Sequence, residues 1–99
     1  MKSTVKPSVS YLDYLHRRLK DPEFAAGYLS LALEDDPKTF LVALHDVADA
    51  HGGIRKLAAK TRLNREHLFR MLSKSGNPSL QSLRQLVGAF GLKLTLQPA

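Results

Sequence analysis

The chain has 99 residues, 43% of them hydrophobic and 24% charged, and a formal net charge of +6, which bounds it to a single globular domain with a modest core. It contains no cysteine, so disulfides and thiolate metal sites are excluded and a reducing, cytoplasmic setting is allowed. No apolar run approaches the roughly 18 residues of a membrane span, and the opening MKSTVKPSVS lacks the apolar centre of a signal peptide, so neither a membrane nor export is expected.

In chain order the pattern is helical almost throughout. Residues 1–20 carry five lysines and arginines against Asp13 alone. Leu12, Leu15 and Leu19 fall there at helical spacing with Tyr11 beside them, which predicts a partly helical segment with its helix over 9–20. Asp21-Pro22 reads as an N-cap followed by the first helical residue, opening a second helix with Phe24, Tyr28 and Leu31 on one face. Asp36-Pro37 repeats the device and opens a third helix, with Phe40, Leu44, Val47 and Ala48 inward. Gly52-Gly53 ends it, because glycine takes the left-handed backbone that a helix C-terminus favours. Residues 21–52 therefore read as an acidic helical pair, in which seven Asp and Glu stand against Lys38 alone.

The next stretch, IRKLAAKTRLNREHLFRML at 54–72, reads as two short helices joined by a tight turn. Leu57, Ala58, Thr61, Leu63, Leu68 and Met71 are the inward positions, with the small Ala58 where the helices cross. Asn64 stands just before the second helix, where its side chain can accept from free backbone N–H groups. Arg55, Lys56, Lys60, Arg62, Arg65, Glu66, His67 and Arg70 are left facing out. An apolar seam backed by a cationic, hydrogen-bonding face is the pattern of a helix-turn-helix that enters the major groove of double-stranded DNA. Residues 53–84 hold eight lysines and arginines against Glu66, so the basic block coincides with this pattern. Ser75-Gly76-Asn77-Pro78-Ser79 is a loop ending in an N-cap serine, and from Leu80 a further helix carries Leu83, Leu86, Val87 and Phe90 inward. Gly91 closes it, completing a DNA-binding core over 53–91. Residues 92–99 are a tail in which Leu92, Leu94 and Leu96 alternate with polar residues, predicting a short β-strand. The fold class is all-α: one compact domain of five or six helices with that strand appended.

Helix geometry names the recognition residues. Arg65, Glu66 and His67 fill the first turn after Asn64, and Arg70 lies one turn on. Arginine can donate twice to guanine, and glutamate can accept from cytosine N4. Glu66 could instead complement the helix dipole and pair with Arg70 at i,i+4. Contacts to the DNA backbone fall to the starts of helices at Ile54, Arg55 and Ser79, to Lys56, Lys60, Arg62 and Lys74, and to the polar Asn64 and Asn77. A lone strand needs a partner, and antiparallel pairing through Leu92, Leu94 and Leu96 would make a homodimer reading a near-palindromic operator; pairing with an N-terminal segment of the same chain is the alternative.

Residues 53–91 resemble the Cro/repressor-type helix-turn-helix family. More narrowly, the run from DPEFAAGYLSLALEDD through FLVALHDVADAHGGIRKLA to GLKLTLQPA is similar to the addiction-module antidote proteins, a resemblance covering residues 21–99. It implies operator binding as a dimer, repression of the protein's own operon, and a small basic toxin as partner, with base contacts at Arg65, Glu66 and Arg70. The chain departs from the pattern in being basic overall and in placing Arg62 at the turn position usually held by glycine. There it must bear a left-handed or near-bridge backbone at a cost of about 1 kcal/mol.

Other chemistry finds less support. His45 and Asp49 lie four apart with His51 behind, but no second ligand group accompanies them, so no metal is expected. No glycine-tight nucleophile elbow and no phosphate-cradling glycine loop is present, so neither an enzyme nor a cofactor is expected. Tyr11, Tyr14, Phe24, Tyr28, Phe40, Phe69 and Phe90 fall mostly on apolar faces and read as core. A stand-alone regulator without a toxin, and an interaction module that keeps the fold without binding DNA, are the competing readings. The acidic block either steers a basic partner or serves solubility alone.

Overall fold

The computed structural model describes residues 9–73 and 75–99; Lys74, expected at the DNA backbone, and the first eight residues of the N-terminal segment lie outside them. Six helices follow in order: α1 (Val9–Leu19), α2 (Pro22–Asp35), α3 (Pro37–Ala50), α4 (Gly53–Thr61), α5 (Arg65–Met71) and α6 (Leu80–Ala89). The radius of gyration is 13.6 Å, near the roughly 13 Å of a compact domain this long.

Both Asp-Pro pairs work as the sequence predicts. Proline pushes the residue before it out of the helical region, and Asp21 and Asp36 accordingly have ψ values of 120° and 140°. Each carboxylate then accepts from the backbone N–H two residues on, Glu23 at 3.2 Å and Lys38 at 3.1 Å. Asp36 also donates its own N–H to Ala32 O, so one residue ends α2 and starts α3.

Helix α3 is the centre of the molecule. It packs against α1, α2 and α4, and it buries Phe40, Leu41, Ala43, Leu44, Val47, Ala48 and Ala50. Leu19, Ala25 and Leu29 close the core from one side, and Leu57, Leu68, Met71, Leu72, Leu86, Val87 and Phe90 from the other. The Arg18 guanidinium seals the α1–α2 edge. It donates to Tyr14 Oη at 2.7 Å and stands 4.5 Å from the Phe24 ring centre.

Two expectations are corrected here. Leu31 does not share an inward face with Phe24 and Tyr28 but is 70% exposed. The inward stripe of α2 is Ala25, Leu29 and Ala32, so Phe24 and Tyr28 lie on its flank and Leu31 lies further round. Leu12 and Tyr11 on α1, expected on one face with Leu15 and Leu19, are also exposed, and the inward part of that face is Leu15 and Leu19.

The tail is the second correction: among the described residues there is no β-strand, and 92–99 form no regular element. Its period-two pattern suits extended backbone, but a strand also needs a neighbour with free backbone groups. The neighbours here are helices, whose groups are already satisfied. Leu92 donates its N–H to Val87 O at 2.9 Å and packs on the core, and Leu92 and Leu94 border a cleft with Ala26, Leu29, Leu33 and Val87. Leu96 is fully exposed.

Candidate nucleic-acid interface

The pair α4–α5 is built by short-range bonds that its own sequence supplies. Gly52, at φ 105°, turns the chain out of α3 and into α4. At the other end Arg62 has φ 63° and ψ 15°, the left-handed conformation expected of it, and donates its N–H to Ala58 O at 2.9 Å. Thr61 is buried and knits the turn: its hydroxyl donates to Leu57 O at 2.8 Å and accepts from Leu63 N–H at 3.2 Å. Asn64 then caps α5, accepting from Glu66 N–H at 2.8 Å and His67 N–H at 3.1 Å. Leu57, Leu68 and Met71 face the core, and Ala58 and Leu63 are partly buried against it.

What this fixes on the outside is a cationic cleft of about 450 Å³. Ile54 and Arg55 line it from the start of α4, and Arg65, Glu66, Phe69 and Arg70 from α5. Arg55, Arg65, Glu66 and Arg70 are exposed, and among the described residues none of these arginines is held in an ion pair. Arg70 also borders a second hollow of about 350 Å³ with His67, Ser73, Ser75, Gly76 and Asn77. Three of the four expected base readers therefore share one cleft. His67, half-buried, belongs to the other side of Arg70.

The expected backbone anchors divide in the same way. Arg55 and Asn77 flank these clefts, and Arg62 is exposed at the turn. Lys56 and Lys60 line neither of them. They border a separate hollow of about 690 Å³ with Lys20, Asp49, His51 and Phe90, where the ends of several helices meet. Ser79 is occupied as the cap of α6: its hydroxyl accepts from Ser82 N–H at 3.1 Å and donates to Ser82 Oγ at 3.0 Å.

The other histidines and acids have structural surroundings. His45 and Asp49 approach at 3.8 Å on the surface of α3. His51 does not join them, because its ring tilts against Phe90 with centres 5.0 Å apart. Burial lowers its pKa first, the neighbouring Lys60 and Lys20 add to this, and a hydrogen bond to the Leu19 backbone opposes them. Its Nε2 is buried with no hydrogen-bond partner among the described residues. Tyr28 donates to Asp46 at 2.7 Å, and burial followed by that carboxylate raises the phenol pKa well beyond its usual range.

Two features escaped the sequence reading. Phe69, grouped with the core aromatics, is 66% exposed and lies among the arginines of α5. Its place four residues after Arg65 was the available signal, since that spacing puts the ring on the same outward face as Arg65. Gly76 is the other: a Cβ there would run into the carbonyl oxygens of Arg70 and Met71, so only glycine lets the loop fold back under α5.

An all-helical domain whose acidic long helices support a short, arginine-faced helix pair defines the class. The family follows from comparison: the model of the family described as "probable addiction module antidote protein" matches residues 9–98, and the chain belongs to that family. It thus stands on the antidote side of a toxin–antidote pair, which implies a toxin partner. No curated protein and no solved structure matches the chain. Among the described residues no helix is long and apolar enough to cross a membrane.

Proposed function

We propose that α4 and α5 form a helix-turn-helix of the Cro/repressor type, and that the protein is the antitoxin of a toxin–antitoxin module that binds its own operator and represses its operon in the cytoplasm, without enzymatic activity. The observation that carries this is the cleft in which Arg65, Glu66 and Arg70 stand together, faced by Arg55, with no ion pair to these arginines among the described residues. Arg65 and Arg70 donate to guanine edges, Glu66 accepts from cytosine, and His67 reads beside Arg70. Arg55, Arg62, Asn64 and Asn77 hold phosphates close by, while Lys56 and Lys60 act on the more distant backbone.

The operator is read by a homodimer. Two recognition helices about 34 Å apart match a near-palindromic site. Leu94 and Leu96, which the fold leaves uncovered, are the tail residues available to a second copy, whereas Leu92 is committed to its own core. The acidic residues of α2 and α3, apart from Asp49 beside Lys56 and Lys60, face away from DNA and steer the small basic toxin.

Fluorescence anisotropy with an operator selected from random duplexes tests the reading. A dimer neutralising about six to ten phosphates should lose affinity with salt at a log–log slope of about −0.9 per phosphate. Arg65→Ala and Arg70→Ala should abolish the preference for the operator over random DNA, and Lys56→Ala should weaken both alike. Equal losses on both duplexes for Arg65→Ala or Arg70→Ala would remove those residues as readers. Deleting residues 94–99 should leave a monomer by sedimentation; a truncated dimer would place the interface elsewhere.

A further inference from the structure

An aromatic ring stands in water on α5 in a cleft lined by three arginines and one glutamate. Phe69 is two-thirds exposed, yet it sits in the cleft with Arg55, Arg65 and Arg70 around it and Ile54 on the opposite wall. Solitary exposed apolar residues are ordinary on a protein surface. This one is different in position, because it occupies the outward face of the helix that bears the arginines, and Ile54 is the one other apolar side chain lining the cleft. A second protein chain bringing apolar surface here would have to desolvate three guanidinium groups. A surface that is anionic at its edges and apolar at one spot fits better.

Duplex DNA offers that combination in the major groove, where thymine alone among the four bases presents a methyl group. We propose that Phe69 is a specificity-determining residue that packs on the C5-methyl of a thymine in each half-site, between the bases read by Arg65 and Arg70. The inference rests on the DNA-binding reading given above and deepens it. The flanking guanidinium groups anchor the neighbouring bases, which brings the methyl down onto the ring. Ile54 closes the cleft behind it. Burying one methyl against an aromatic face should change affinity by about four- to ten-fold per half-site.

The experiment pairs a base analogue with a side-chain deletion. Uracil keeps the O4 acceptor of thymine and lacks only the methyl. With the full chain and the selected operator, each thymine is replaced in turn by uracil, and binding is measured for wild type, Phe69→Ala and Phe69→Leu. One position per half-site should cost the wild type about four- to ten-fold. The same replacement should cost Phe69→Ala nothing further, and Phe69→Leu should keep part of the discrimination. Because the ring is exposed, both variants should retain the wild-type circular dichroism and unfolding midpoint. Uracil penalties of the same size in wild type and Phe69→Ala would overturn the inference, as would an operator in which no thymine methyl matters. If selection yields no preferred duplex at all, the DNA-binding reading itself falls and takes this inference with it.

Discussion

The hairpin α2–α3 and the pair α4–α5 are both two consecutive helices, yet they solve opposite problems. Each helix of the first pair is 14 residues long, opens with Asp-Pro and buries its face in the core, and α3 alone buries seven residues. The second pair has helices of nine and seven residues, of which four side chains in all are buried. Isolated helices that short are marginal in water, so α4 depends on α3 and α6, against which it packs, and α5 depends on α4 and on burying Leu68 and Met71 in the core. The lesson is a division of labour. Length and apolar stripe make one pair a scaffold, and local caps then suffice to aim the short pair's arginines.

That division can be broken at several strengths. Removing scaffold should cost most: Leu44→Ala, at a fully buried position on α3, should lower stability by about 2–5 kcal/mol in urea unfolding, while Phe69→Ala on α5 should leave the midpoint unchanged. Comparable losses for the two would mean that the Phe69 ring is packed rather than exposed. Gly76→Ala comes next. Its added methyl meets the carbonyls that end α5, so we expect a loss of about 1–3 kcal/mol together with weaker operator binding. An unchanged midpoint would show that the loop has room to move.

Caps distinguish the pairs more finely. Asn64→Ala should cost about 1 kcal/mol, much like Asp36→Ala, but Asn64→Ala alone should raise amide exchange within α5 specifically. Uniform exchange changes in both variants would make the short pair no more dependent on its cap than the long one. Arg62→Gly should move stability the other way, raising it by about 0.5–1 kcal/mol by relieving the left-handed backbone. If Arg62 also holds a phosphate, the same variant should bind DNA less tightly, and the two measurements together separate strain from contact.

The smallest effect is a pH dependence at the junction between the pairs. His51 is half-buried at the end of α3, and partial burial holds its pKa below the ordinary 6.5. The unfolded chain therefore binds the proton more readily than the fold does, and its contribution to stability is complete above that value and fades as pH falls through it. Unfolding midpoints should drop between pH 7 and pH 5, and His51→Gln should flatten that slope. A slope unaltered by the substitution would place the titration on other groups.

Much of this protein was decided by sequence alone. The Asp-Pro caps, the Asn64 cap, the left-handed Arg62 and the inward Leu57, Leu68 and Met71 are set by bonds and periodicities spanning a few residues, which a sequence displays directly. The resemblance of residues 21–99 to the antidote proteins was also readable, from similarity along the whole run rather than from any local bond or period. Tertiary structure decided what depends on distant neighbours. It denied the tail its strand, because helices offer no free backbone to pair with. It exposed Leu31, because α3 meets α2 along a different stripe. It sent Lys56 and Lys60 to a hollow with Lys20 and His51, away from the arginine cleft, and it left Phe69 in water beside Arg65 and Arg70. Periodicity says which residues share a face of a helix, but only packing says what that face meets.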